Sequence, residues 1–155
     1  SWRARANFMG KIEQIWVKRF HRGPMDPVTH GILVAGQGLL DSADQGGRRQ
    51  VTLVTRERWD LATQSMGVPI DPILRRANLL ISGIDLENTR TRILQLGDCR
   101  LRIRGETRPC ERMDEAVPGL QNALDAHWGG GAFAEIIQGG EIAVGDDVNW
   151  ENNPD

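Results

Sequence analysis

The sequence predicts a mainly β protein with a few helices, folded as a barrel or a sandwich rather than as a doubly wound sheet. Short apolar runs outnumber the helical segments, and glycine-rich turns separate these runs. Several of them alternate apolar with polar residues, which is the period of a strand with one buried face. The 155 residues are most simply one domain, with enough chain to bury a substantial core.

The first third of the chain predicts two strands and a long loop. Apolar residues at strand spacing favour a strand over 10–19, with Trp16 on the opposite face from Ile15. A second apolar run covers 32–35, and the segment 36–47 is rich in glycine, aspartate and serine. That composition is typical of turns, so we expect an extended loop there.

A strand followed directly by a capped helix is expected next. Residues 50–54 favour a strand, and Thr55 can cap a helix that begins at Arg56. The threonine hydroxyl is suited to this position because it can accept a hydrogen bond from a free backbone N–H. Trp59 would face the core, and Gly67 would help to end the helix.

The second half of the chain predicts further strands and one more helix. The strands are expected at 78–81, 92–97, 99–105, 132–137, 141–144 and 147–150. Gly97-Asp98 joins two of them in a tight hairpin. Pro118 opens the helix, which apolar spacing extends to His127 before the glycines at 129–131 end it.

The most informative segment places a cysteine just beyond an arginine-studded strand. Apolar and charged residues alternate over 99–104, so Cys99 is expected to face the core while the arginines face outward. Cys110 follows a proline that ends the strand, and Arg108 and Arg112 flank it. Such electropositive surroundings favour a thiolate, which predicts a chemical role for Cys110. A structural cysteine is the alternative.

Two arginine pairs each have two interpretations. Arg75 and Arg76 precede Asn78 at the start of an apolar strand, where forked donors could bind an anionic ligand. Exposed arginines are more often simply solvated, and that interpretation is stronger still for Arg48 and Arg49.

Other site types are less favoured. The glycines at 129–131 could present backbone amides to a phosphate, although such a run more often only stops a helix. A cysteine hydrolase would need a histidine partner, and His21, His30 and His127 lie in no recognisable motif. A zinc site is disfavoured because the two cysteines do not form a close-spaced ligand pair.

Composition limits the compartment and the partners. The formal net charge of -2 gives no overall attraction to nucleic acid or to an anionic membrane. No run approaches the roughly 18 apolar residues that a membrane helix needs. With two cysteines and no recognisable secretory segment, we expect a cytoplasmic protein. Residues 1–8 are expected to be a leader or an expression remnant, and 9–155 to be the domain.

Taken together, several segments occur in an order that resembles the MOSC family, named for the C-terminal domain of molybdenum-cofactor sulfurase. The segments are 75–80, 83–86, 96–98, 108–110, 131–136 and 140–148. The resemblance spans about residues 10–150 and implies a closed β-barrel with peripheral α-helices. The sequence departs from the family at Ala77 and in the loop 39–44, which puts the substrate class in doubt.

The resemblance also implies a cofactor site. Cys110 occupies the position of the family's characteristic cysteine, whose thiolate ligates the metal of the molybdenum cofactor, a molybdopterin, in members that bind it. Such a soft ligand suits a heavy transition metal. The residues expected to contact the cofactor are Arg76, Asn78, Thr107, Arg108, Gly130 and Gly131. Whether recombinant protein retains the cofactor is left open.

The implied activity is the reduction of small N-hydroxylated compounds. The length leaves no room for a flavin domain, so electrons would come from a separate electron-transfer protein. The alternative is a carrier, in which Cys110 holds a persulfide or hands on cofactor without redox catalysis. A third possibility is a binding domain in which Cys110 is inert.

Overall fold

The computed structural model describes residues 10–151, so the expected leader at 1–8 lies outside the described residues. The strands are β1 (Gly10–Lys18), β2 (Met25–Val28), β3 (His30–Val34), β4 (Gly38–Leu39), β5 (Val51–Thr55), β6 (Leu79–Ser82), β7 (Ile93–Leu96), β8 (Cys99–Glu106), β9 (Ala132–Gln138), β10 (Gly140–Ala143) and β11 (Asp147–Trp150). The helices are α1 (Arg56–Gln64), α2 (Glu111–Ala116) and α3 (Leu120–Leu124), with a 3-10 helix at Pro72–Arg75.

Seven of the strands close into a mixed β-barrel. Their order around the barrel is β1, β11, β7, β8, β9, β5, β6 and back to β1. Neighbours in this ring are antiparallel, except that β5 and β6 run parallel. β2 pairs with β1 outside the ring, and β10, β3 and β4 form a small second sheet. The mainly β class, the closed barrel and the peripheral helices are therefore confirmed.

Apolar side chains form two clusters, one on each side of the barrel wall. Strand residues such as Ile15 and Leu101 belong to one cluster, which fills the barrel. Trp16 belongs to the other cluster, with Trp59 of α1 and Leu120 of α3, which packs helices against the outside. The alternation predicted for β1 is therefore confirmed, because neighbouring side chains enter different clusters.

Helix α1 begins where the sequence predicts. The Thr55 hydroxyl accepts a hydrogen bond from the backbone N–H of Arg58 at 3.3 Å. Trp59 is fully buried, and its indole N–H donates to the Ile70 carbonyl at 2.7 Å. This bond anchors the chain that leaves the helix, which ends at Gln64, before the predicted Gly67.

Three elements differ from the prediction. β2 was not expected, because it contains Pro27, but it is an edge strand, where a missing N–H is tolerated. Helix α2 was also missed, since of its side chains only that of Met113 is buried and it has no apolar periodicity. Helix α3 stops at Leu124, short of His127, which has a left-handed backbone with φ of 57° and bonds Glu87 through its ring.

Within residues 10–151, no helix is long and apolar enough to cross a membrane.

Candidate functional site

A cavity of about 440 Å³ lies at one end of the barrel. The end of β1 lies beside the beginning of β6, and the end of β8 lies beside the beginning of β9, because antiparallel neighbours place their opposite termini together. Strand β5 lies between β6 and β9, and its Thr52 lines the cavity. Its lining includes four residues predicted from the sequence, which are Arg76, Asn78, Thr107 and Gly130. Gly131, Arg108 and Cys110 are not among the lining residues.

The charge of this cavity favours an anion. Lys18, Arg49, Arg75 and Arg76 line it, against the single carboxylate of Asp44. A small site with several cationic groups concentrates anionic ligands even though the whole chain has a negative formal charge. We refer to it below as the cationic cavity.

Asp44 is itself paired at the rim of the cationic cavity. Its carboxylate contacts the His21 ring nitrogen at 2.9 Å and the Lys18 ammonium at 3.2 Å. The hydrogen bond with His21, supported by that from Lys18, holds the pKa of Asp44 below its ordinary value. Asp44 therefore stays ionised and offsets part of the positive field.

Arg75 is a half-buried support of the site. Its Nε donates to the Gly130 carbonyl at 2.7 Å, and Nη2 donates to the Thr107 carbonyl at 3.0 Å. Burial lowers the pKa of the Arg75 guanidinium, and the nearby Cys110 opposes that effect. Arg75 therefore joins the chain after β8 to the chain before β9, while its charge remains in the cavity wall.

Arg76 holds a different segment. It ends the 3-10 helix in a left-handed conformation with φ of 59°, and its backbone N–H donates to the Ile73 carbonyl. Its Nη2 donates to the Gly23 carbonyl at 2.6 Å, which ties the turn after β1 to the cavity. The arginine expected to bind the cofactor thus also positions the loop that contains His21.

Asn78 bridges two strands through its side chain. Its Oδ1 accepts hydrogen bonds from the Thr52 backbone N–H at 3.0 Å and from the Thr52 hydroxyl at 3.2 Å. Its Nδ2 donates to the Ser42 hydroxyl at 3.3 Å. The amide oxygen is therefore occupied, and one Nδ2 hydrogen is left to meet a ligand.

The glycines before β9 are required by close backbone packing. A Cβ on Gly130 would lie 2.4 Å from the Thr107 carbonyl oxygen, and one on Gly131 would lie 2.0 Å from that of Leu53. The Thr107 hydroxyl also donates to the Gly130 carbonyl at 2.9 Å. Thr107 and the glycine turn thus fix one wall of the cavity.

Cys110 lies beside the cavity with its side chain exposed. It occupies the position before the first residue of α2 and makes no side-chain capping bond. It follows Arg108 by two residues, and the Arg108 carbonyl accepts a hydrogen bond from Arg75 Nη2 at 3.5 Å, which places this segment beside the cavity wall. Arg108, in contrast, is exposed and lies 3.8 Å from Asp125.

The other thiol is inside the barrel. Cys99 is fully buried, as the alternation of β8 predicts, and burial raises its pKa. Among residues 10–151, no group of three or more His, Cys, Asp or Glu side chains could hold a metal ion.

Sequence reasoning missed part of the cavity wall. Arg49 is exposed, as its solvated interpretation expects, but it also lines the cavity, and its guanidinium lies 4.9 Å from the centre of the Phe133 ring. Lys18, His21 and Asp44 were not selected as a group. Their charges were visible in the sequence, but nothing local indicated that the turn after β1 meets the loop after β4.

Comparisons with known proteins agree with this architecture. A family model described as the MOSC domain matches residues 18–149. The fold is similar to the YuaD protein of Bacillus subtilis, with 21% identity, a TM-score of 0.73, and coverage of 90% of this chain and 94% of that chain. It is also similar to YiiM from Geobacillus stearothermophilus, with 15% identity, a TM-score of 0.73, and coverage of 92% and 75%. No curated protein matches the sequence.

Proposed function

Because the chain belongs to the MOSC domain family, we propose that it binds the molybdenum cofactor at the cationic cavity, with the Cys110 thiolate as a ligand of the metal. We further propose that the loaded protein reduces small N-hydroxylated compounds. The observation that most directly supports cofactor binding is an exposed thiol beside a cavity with four cationic side chains, whereas the proposed reaction rests on the resemblance of the sequence motifs to the family.

The residues present fit such a group. The cofactor is anionic because it has a phosphate, and the arginines and lysine of the cavity are suited to phosphate binding. A volume of about 440 Å³ lies within the usual range for small-molecule sites. Since no metal-ligating cluster of protein side chains exists among residues 10–151, the other ligands of the metal would arrive with the pterin.

Each part of the site then has a defined task. Arg49 and Lys18, at the cavity wall, would bind the phosphate, while Arg75 would keep Thr107 and the glycine turn in place. When bound, a molybdenum centre supplies two-electron chemistry on oxygen-containing substrates. Conversion of an N-hydroxyl group to N–H consumes two electrons and two protons and releases water. We propose that the electrons come from a separate electron-transfer protein.

The test is molybdenum content of protein expressed with molybdate in a host that makes the cofactor. We expect about one equivalent in the native chain and less than about a tenth of that in Cys110→Ala, because a direct ligand is lost. Cys99→Ala is the matched control. It should retain the metal and lose only stability, on the order of 1 kcal/mol, because a small buried side chain is removed.

Two outcomes would contradict the assignment. Loss of metal in Cys99→Ala with full retention in Cys110→Ala would place the ligand inside the barrel. Absence of molybdenum and pterin from the native chain, together with no reduction of an amidoxime by chemically reduced protein, would remove the cofactor proposal.

The exposure of Cys110 also supports the carrier as a second candidate function. An accessible thiol near a guanidinium can hold sulfur reversibly as a persulfide. Mass spectrometry of native protein would then show one extra, reducible sulfur on Cys110 and no bound pterin. A persulfide-free chain that contains molybdenum would exclude the persulfide carrier, and reduction of an amidoxime by that chain would exclude a carrier that only hands on cofactor.

A further inference from the structure

We propose that a second cavity, which is lined by Leu40 and Asp41 whereas Ala43 and Asp44 line the first, binds an organic cation with an apolar body. This cavity has a volume of about 490 Å³ and lies between the edge strand β2, strand β3 and the residues after β4. We call it the acidic cavity. It is independent of the proposed function, because its charge has the opposite sign to that of the cationic cavity.

The floor of the acidic cavity is apolar. Val17, Val28, Ile32 and Leu40 line it, and the last two are 41% and 47% exposed. These two are held next to each other, since the Leu40 backbone N–H donates to the Ile32 carbonyl at 2.8 Å. Single exposed apolar side chains are common on protein surfaces. Several of them together in a concave site indicate a binding site.

The rim of the same cavity is negative. Asp26, Asp41 and Glu141 contribute carboxylates. Asp26 pairs with Arg19, whereas neither Asp41 nor Glu141 contacts a basic side chain among residues 10–151. An apolar floor with two uncompensated carboxylates is complementary to a ligand that has an apolar body and a cationic head.

Another cavity of the protein also combines apolar and acidic lining residues, and it can be compared with the acidic cavity. A cavity of about 370 Å³ is lined by Leu61 and Ile84 with the carboxylates of Glu57 and Asp85. There Asp85 lies 3.6 Å from Arg58, and Glu57 accepts a hydrogen bond from the Gly83 N–H at 2.8 Å. In that site Asp85 therefore has a basic partner and Glu57 is held by a backbone N–H, so the site serves as an internal control.

Neighbouring residues of the chain line the two cavities, but the two cavities are expected to bind different ligands. Val17 lines the acidic cavity and its neighbour Lys18 lines the cationic one, while Asp41 and Asp44 divide in the same way along the loop. An anionic cofactor would be repelled by the carboxylates of the acidic cavity. The occupant is therefore a distinct small molecule of the alkyl- or arylammonium class.

The test is a titration of 15N-labelled protein with 4-phenylbutylammonium, followed by amide chemical shifts. At pH 8 the primary amine of this ligand is protonated and therefore carries a positive charge. A ligand of about eleven non-hydrogen atoms should bind with a Kd on the order of 1 mM. We expect saturable shifts at Gly31, Ile32, Leu40 and Asp41.

Variants separate the contribution of charge from that of the apolar floor. The double variant Asp41→Asn/Glu141→Gln should weaken binding by about tenfold or more, because it removes both unpaired charges at nearly constant shape. Asparagine also tolerates the left-handed backbone of Asp41, where φ is 69°. Asp85→Asn in the control cavity should leave the affinity unchanged, and circular dichroism checks that each variant is folded.

Several results would overturn the proposal. Equal affinity for 4-phenylbutanol would show that the cavity does not recognise charge. Shifts centred on Leu61 and Ile84, or no saturable shift up to about 5 mM, would place the ligand elsewhere or nowhere. Shifts at the same residues that grow with protein concentration alone would identify a second copy of the chain as the occupant instead.

Discussion

At the scale of single residues, Arg75 and Arg76 are neighbouring arginines whose side chains bind different segments of the chain. Both are half-buried and line the cationic cavity, but Arg75 donates to the carbonyls of Gly130 and Thr107, whereas Arg76 donates to the Gly23 carbonyl. The left-handed backbone of Arg76 turns the chain between them, so the two guanidinium groups face different segments.

Removal of the Arg75 guanidinium should destabilise the whole protein. We expect Arg75→Ala to lower the free energy of unfolding by about 2–4 kcal/mol, because hydrogen bonds from a charged donor are lost and carbonyls remain buried. Arg75→Lys should recover only part of this, since an ammonium lacks the planar fork. Urea unfolding provides the measurement.

Arg108 is the matched control for this prediction. It is exposed, and its contact with Asp125 is 3.8 Å long, so Arg108→Ala should cost less than about 0.5 kcal/mol. Equal urea midpoints for Arg75→Ala and Arg108→Ala would show that Arg75 has no structural role.

At the scale of elements, the turn before β9 packs closely against β5 and holds Thr107 in the cavity wall. Gly131 makes this possible because it has φ of 104° and lies directly against the Leu53 carbonyl. The turn is therefore a packing contact between strands as well as the end of the helical segment.

A comparison of two glycines can separate backbone strain from this contact. Gly145 has φ of 97°, close to that of Gly131, but an added Cβ there meets nothing within 4 Å. Gly145→Ala should cost about 1–2 kcal/mol from strain alone, and Gly131→Ala should cost at least about 2 kcal/mol more. Thermal unfolding midpoints measure both variants, and similar midpoints would contradict a tight β5–β9 contact.

At the scale of the whole molecule, the barrel is closed where its first strand pairs with its last, a contact that we call the seam. Among residues 10–151, β1 and β11 pair at two register positions, Gly10 with Val148 and Lys11 with Asp147. Further backbone bonds join Ile12 to Asp146 and to Gly145. By contrast, β8 and β9 pair over nearly their full lengths.

This difference predicts that the seam opens before the rest of the barrel. In native-state amide hydrogen exchange, Ile12 and Gly145 should exchange at a free energy about 2 kcal/mol or more below that of Ile103 in β8. Ile103 is a suitable reference because its N–H donates to the carbonyl of Arg92, the residue before the neighbouring strand β7. If all three amides exchanged at one free energy, the seam would open only with global unfolding.

The sequence alone determined the features that depend on neighbouring residues. The alternation of β8 placed Cys99 inside, the proline after it favoured an exposed Cys110, and Thr55 marked the start of α1. These features are local because side-chain direction repeats every two residues in a strand, and a cap acts within one turn. The ordered family motifs added the closed barrel, which local patterns had left open as a barrel or a sandwich.

Only the tertiary structure decided which side chains surround the cavities. Arg75 and Gly130 are 55 residues apart in sequence, and Asn78 and Thr52 are 26 apart. The different hydrogen-bond partners of Arg75 and Arg76, and the position of Arg49 in the cavity wall, depend on such distant contacts. Hydrogen bonds and charge compensation are properties of neighbours in space, and barrel closure alone determines which residues those neighbours are.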